Sequence, residues 1–144
     1  MTPEIVGVDT TWLVQVTLRD HPGRVLAKAR MHQLVAGGAR LGIAPQVLHE
    51  FIHVTTDPRR FSRPLAVVTA TDVAERWWLG AEVVQLFPSE ESVQLALDWQ
   101  RRFELGRKRV LDTALAAIFR LAGVRRILSD NGRDFSVFGG FEVL

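Results

Sequence analysis

The chain has 144 residues, four histidines and no cysteine, with 18 Lys or Arg against 16 Asp or Glu and a formal net charge of +2. That length suits one domain with a real core, and 47% hydrophobic with 24% charged residues is an ordinary globular balance. The composition excludes disulfides and thiolate metal sites, argues against a polycationic nucleic-acid coat, and offers no apolar run near the ~18 residues of a membrane span.

The N-terminal stretch MTPEIVGVDTTW carries an acid where a secretory signal carries basic residues, so a cytoplasmic rather than secreted protein is expected. Residues 4–9, EIVGVD, read as a short buried strand that ends in Asp9. Residues 21–38 follow as a helix, with Pro22 at its start, Val25, Leu26, Ala29 and Leu34 near helical spacing, and two glycines behind. A second strand is expected over 39–44, and Pro45 opens a helix that stops at Asp57-Pro58. Residues 69–80 form a helix whose start resembles a capping box through Thr71, Asp72 and Glu75. A strand over 81–87 leads to a helix over 88–105, which opens on Ser89 and acids and closes on arginines, as the helix dipole favours. The run 109–123 is a helix rich in alanine and leucine, 124–129 a strand, 130–135 a polar loop, and 141–144 a last short strand. Strands alternating with helical crossovers imply an α/β fold with a mainly parallel sheet of four or five strands flanked by helices.

Ligands of such sheets bind beyond the carboxyl ends of the strands. Asp9 ends the first strand, while Asp130 and Asp134 follow the strand at 124–129. Glu50 and Asp112 stand in the opening turns of helices that begin at the same edge. Each acid has a plainer role open to it, as a helix cap or a turn residue. Asp112 fits that least well, because VLDTALAAIF leaves it alone on an apolar helix, where a purposeless charge is costly. Carboxylates that converge need a cation or a shared proton, and a hard all-oxygen donor set suits Mg²⁺ or Mn²⁺.

The helix at 45–56 also contains His49-Glu50-x-x-His53, the spacing of a zinc peptidase in which both histidines bind metal and Glu50 acts as general base. The extended form of that motif fails at Thr56 and Arg59, and Glu75 is the only reasonable third ligand. A zinc site there leaves Asp9, Asp112 and the 130–135 loop without a role.

Sixteen of the eighteen cations are arginine, clustered at 57–63, 100–109 and 123–126. Arginine forks onto phosphates, though a solvated surface is the more ordinary explanation of any one cluster. Arg107, Lys108, Arg109 and Arg133 flank the third and fourth acidic segments and are candidates for holding a nucleic-acid backbone. Trp12, Trp77, Trp78 and Trp99 offer base stacking, or more ordinarily core.

Three segments together resemble the PIN-domain ribonucleases, and within them the VapC toxins: VGVDTTWLV, then VLHEFIHVTTDPRRF, then RVLDTALAAIFRLAGVRRILSDNGRDF. They stand in family order and span nearly the whole chain, which implies a PIN-like nuclease domain over 1–144. The resemblance places Asp9, Glu50 and Asp112 at the metal-site acids. The fourth acid is Asp134 with Asn131 beside it, or Asp130 with Ser129, depending on how the loop is aligned. Thr10 and Thr11 fall where hydroxyls support the first acid. Thr11 departs from the pattern, which more often has asparagine there. What the resemblance implies is an Mg²⁺- or Mn²⁺-dependent endoribonuclease that leaves a 5′-phosphate and a 3′-hydroxyl. It further implies the toxin of a toxin–antitoxin pair, blocked by a small VapB-like antitoxin and commonly a homodimer. A non-catalytic interaction module on the same fold is the other reading the segments permit.

Overall fold

The computed structural model describes residues 2–144. Its elements in chain order are β1 (Ile5–Val8), α1 (Thr10–Thr17), α2 (Arg24–Ala36), β2 (Arg40–Ile43), α3 (Pro45–Thr55), α4 (Val67–Trp78), β3 (Val83–Gln85), α5 (Glu90–Arg102), a 3₁₀ turn (Arg107–Arg109), α6 (Val110–Leu121), β4 (Arg126–Leu128), α7 (Gly132–Ser136) and β5 (Glu142–Val143). All five strands are parallel in the order β3-β2-β1-β4-β5. The chain winds outward from β1 through β2 to β3, then crosses back to lay β4 on the other side of β1. Right-handed crossovers therefore put α1 to α4 on one face of the sheet and α5 and α6 on the other. The packing follows: α1 lies on α2 and α3, α3 on α4, and α5 on α6.

Both faces of the sheet are covered, so the inner strands read as near-continuous apolar runs rather than alternating ones. Val6, Val8, Leu41, Ile43, Ile127 and Leu128 are all fully buried. Gly7 and Gly42 stand opposite each other in the β1–β2 ladder. A Cβ on Gly7 would lie 2.9 Å from the Phe119 ring, and one on Gly42 would lie 2.7 Å from both Ile5 and Leu86. The bare backbone at Gly7 is thus what lets α6 press an aromatic ring flat on the central strand.

Several sequence expectations shift in the structure. Residues 10–17 form a helix that the sequence does not announce; Asp9 caps it, accepting from the Thr10 N–H at 2.8 Å. In α2 the core stripe is Ala27 and Met31, while Val25 and Leu26 are each 79% exposed, because the helix turns the other side of its 3.6-residue repeat inward. Helix α4 starts at Val67 with no side-chain cap. Thr71 lies inside it and donates to the Val67 carbonyl one turn back at 2.8 Å, so it does not cap the helix. Helix α5 has a true capping box, built from Ser89 and Ser92 with the acids beside it. The loop at 130–135 contains α7, anchored by the fully buried Phe135.

The C-terminal segment is pinned by Arg120 of α6. Its guanidinium lies 5.1 Å from the Trp99 ring centroid and 4.8 Å from that of Phe141, and donates to the carbonyls of Phe138 and Gly139. Gly139 and Gly140 turn the chain there at φ of +70° and +76°, which only glycine adopts cheaply. Trp12 and Trp99 are core residues. Trp77 donates its indole N–H to Thr17 at 3.0 Å, and Trp78 packs edge-on against Phe87. Trp77 and Trp78 are half-buried.

Replacing Gly7 by alanine is expected to destabilise the fold by ~1–3 kcal/mol, because Phe119 has no space to withdraw into. Urea denaturation of the variant beside the parent measures it, and equal midpoints refute the packing argument.

Candidate active site

The break in strand order falls between β1 and β4, and such a switch point opens a crevice at the carboxyl edge of a parallel sheet. Asp9 leaves β1 at this crevice and is only 4% exposed. Ser129, just past β4, donates to its Oδ2 at 2.6 Å, and the Thr10 N–H donates to its Oδ1. Thr11 reaches the same Oδ2 at 3.4 Å. Two neighbouring strands and the start of α1 therefore fix one carboxylate.

Glu50 arrives from the second turn of α3, where the Thr10 hydroxyl donates to its Oε2 at 3.3 Å. Asp112 arrives from the first turn of α6. The Gln46 amide of α3 donates to the Leu111 carbonyl at 3.0 Å and ties those two helix starts together. Asp134 arrives from α7, held by Arg109. One guanidinium nitrogen, Nη2, donates to the Asp134 carbonyl at 2.5 Å, while Nε faces its carboxylate at 3.6 Å.

These four acids share one electrostatic field. Burial pushes the Asp9 carboxyl up, its hydrogen bonds from Ser129, Thr10 and Thr11 act the other way, and the Asp134 charge adds to the rise. Burial also raises Glu50, opposed by Thr10 and reinforced by the charge of Asp9. Asp112 is affected most: burial, then the charges of Asp9, Asp134 and Glu50, push it up to about 7, with Arg109 pulling back. Asp112 occupies the place where repulsion concentrates.

Asp130 lies outside this field. Its side chain is exposed, and its backbone N–H donates to Thr11 at 3.2 Å. Asn131 is exposed as well, and its backbone N–H donates to Ser129 at 2.9 Å. The loop thus uses its backbone to brace Ser129 and Thr11, and sends Asp134 toward the acids. Arg107, Lys108 and Arg133 are exposed near the crevice. Arg109, a candidate backbone binder in the sequence, is instead committed to Asp134. Sequence reasoning missed that clamp and the Gln46 tie, since neither a lone Arg nor a lone Gln carries a spacing signal.

His49 and His53 are exposed on the outer side of α3, and Glu75 is exposed on α4. Glu50 is half-buried and meets Thr10, with the His53 charge acting on it from the next turn, whereas the third ligand that zinc would need, Glu75, lies exposed on another helix. Among the described residues no three His, Asp or Glu side chains form a ready-made ion cage. The acid quartet fits a hard divalent cation by chemistry, through all-oxygen donors and a shared excess of negative charge.

No family model and no curated protein matches the sequence. Solved structures do. Mycobacterium tuberculosis VapC20, described as a Sarcin-Ricin loop cleaving toxin, superposes with a TM-score of 0.72 at 22% identity, covering 96% of this chain and 98% of that one. VapBC2 from Rickettsia felis, bound to a DNA fragment from their promoter, gives 0.66 at 14% identity with 97% of each chain covered. A toxin–antitoxin complex from Klebsiella pneumoniae gives 0.61 at 16%, with 96% and 95% covered. The likeness is one of fold: the chain has the PIN-like α/β architecture of VapC toxins, as its three sequence segments imply.

Because folded Asp112 holds its proton to about pH 7 and an unfolded aspartate releases it near 3.8, the folded state binds more protons across that interval. Its contribution to stability therefore falls as pH rises from about 4 to 7. Asp112→Asn is expected to be more stable than the parent at pH 8 in EDTA, with the gap closing below pH 4. Denaturation midpoints across that range test it, and a gap that does not vary with pH contradicts the shared field.

Proposed function

We propose that the chain is a divalent-metal-dependent endoribonuclease, one PIN-like domain over 1–144 that acts as the toxin of a toxin–antitoxin pair. The observation that supports this reading most is the mutual electrostatic coupling of Asp9, Glu50, Asp112 and Asp134 at the β1/β4 switch point. An acid quartet of this kind has no structural purpose that a neutral set would not serve at lower cost.

In this reading Asp9, Glu50, Asp112 and Asp134 hold Mg²⁺ or Mn²⁺, directly or through water. The ion, when bound, supplies charge neutralisation at the scissile phosphate and a more acidic water. Ser129, Thr10 and Thr11 keep the Asp9 carboxylate in one orientation, so it need not reorganise when substrate arrives. Arg109 holds Asp134 over the crevice while screening part of the negative field. Arg107, Lys108 and Arg133, free on the rim, take the RNA backbone. Without a cation the quartet repels a polyanion. Hydrolysis with a 5′-phosphate and a 3′-hydroxyl as products follows the resemblance stated above. So do a cytoplasmic location, a small VapB-like antitoxin that covers the crevice, and a homodimer. No observation at the site favours a non-catalytic module.

The test uses purified protein, a short panel of RNAs, Mn²⁺ or EDTA, and the variants Asp9→Asn, Asp112→Asn and His53→Ala. Cleavage should need Mn²⁺, fall about 100-fold or more in both aspartate variants, and survive in His53→Ala. Mn²⁺ should also raise the melting temperature of the parent and not of Asp112→Asn. Equal cleavage by parent and Asp9→Asn, or cleavage undiminished by EDTA, overturns the proposal.

A further inference from the structure

The two helices that carry Glu50 and Asp112 lie on opposite faces of the sheet. Helix α3 packs chiefly on α1 and α4, and α6 chiefly on α5. Their opening turns approach each other only over the carboxyl edge, and one side chain spans that gap. The Gln46 amide, in the first turn of α3, donates to the Leu111 carbonyl in the first turn of α6 at 3.0 Å. Among the described residues no other hydrogen bond joins α3 to α6. Little packing stands behind the bond: Pro45, Gln46, Val110 and Ala114 border an open hollow of about 300 Å³.

This bond differs from an ordinary helix-end cap. Leu111 stands inside α6, so its carbonyl already accepts along the helix, and Gln46 takes the second lone pair. No orphaned group is satisfied, so the fold gains little from the bond itself. Its place is what matters. Gln46 stands one turn before Glu50 on the same side of α3, and Leu111 is the residue before Asp112. The bond therefore closes a short bridge from Glu50 to Asp112 over the crevice. The amide also acts on Glu50 directly: burial raises that carboxyl, and after Thr10 the Gln46 hydrogen bond opposes the rise. A glutamine amide has two N–H groups, enough for a carbonyl and a carboxylate together.

We propose that Gln46 is a positioning residue for the acid quartet, strapping α3 to α6 so that Glu50 and Asp112 stand at the separation a single divalent cation needs. Like charges on two loosely joined helix starts spread apart unless something restrains them. An ion that demands near-ideal geometry binds best where its ligands already stand in place. Partners that orient ligands in this way govern metal affinity by about 10–100-fold. The inference rests on the hard-cation reading of the quartet, and adds to it a residue that acts through Glu50 and Asp112 rather than on the ion.

The test measures Mn²⁺ binding by electron paramagnetic resonance, with no RNA present, in the full chain and in Gln46→Met, Gln46→Asn and Gln85→Met. Methionine keeps the length of glutamine and removes the donor, while asparagine keeps the donor and falls one methylene short. Gln85 is the control, because its amide makes a bond of the same kind, to the Trp78 carbonyl at 3.1 Å. Both Gln46 variants should bind Mn²⁺ about tenfold or more weakly than the parent, and Gln85→Met should bind it equally well. All three should melt within about 5 °C of the parent in EDTA, since each loses one exposed hydrogen bond. Parental Mn²⁺ affinity in Gln46→Met or Gln46→Asn, an equal loss in Gln85→Met, or a collapse in melting temperature confined to the Gln46 variants overturns the inference and leaves the nuclease reading standing. A parent that binds no Mn²⁺ overturns both.

Discussion

Like charges brought to one place are the constraint on which this molecule is built. Asp9, Glu50, Asp112 and Asp134 come from four elements scattered over 125 residues of sequence, and parallel topology delivers each to the same edge. Burial first, and then the charges of the other three, push Asp112 up to about 7, so the rest of the fold has to hold the four together. The hydrogen bonds from Ser129 and Thr10 fix the most buried acid, and the Arg109 guanidinium restrains the most peripheral one.

The rigidity behind that restraint is apolar. Phe119 pressed on Gly7, the buried Phe135 beside it, and the Arg120 clamp on the chain end lock α6, α7 and β5 to the central strand. Two of the four acids, Asp112 and Asp134, ride on that assembly. On the opposite face, α1 and α3 carry the other two, Asp9 as the cap of α1 and Glu50 within α3. Both faces of the sheet thus contribute acids to the crevice.

The motif that drew most attention in the sequence was partly misleading. His49-Glu50-x-x-His53 does lie on a helix, and the spacing argument for that helix holds. Spacing fixes only that two histidines share a side of α3; it says nothing about which side meets the protein. Thr10, forty residues away, draws Glu50 inward and leaves both imidazoles in solvent. The same limit explains Arg109, whose exposed neighbours Arg107 and Lys108 look identical to it in a linear reading. Val25 and Leu26 fell to it too: helical spacing marked them as apolar, and only packing against α1 decided that Ala27 and Met31 would face the core instead.

Local chemistry along the chain was enough to establish an α/β alternation, a strand ending in Asp9, helices opening near Glu50 and on Asp112, and a polar loop before the last strand. These depend on backbone preference, apolar periodicity and charge placement within a few residues of each other. Only the tertiary structure turned Asp134 toward Arg109 and the other acids while leaving Asp130 exposed, and set the backbone N–H groups of Asp130 and Asn131 on Thr11 and Ser129. Each of those outcomes depends on side chains distant in sequence competing for the same few ångströms, and such competition leaves no periodic mark.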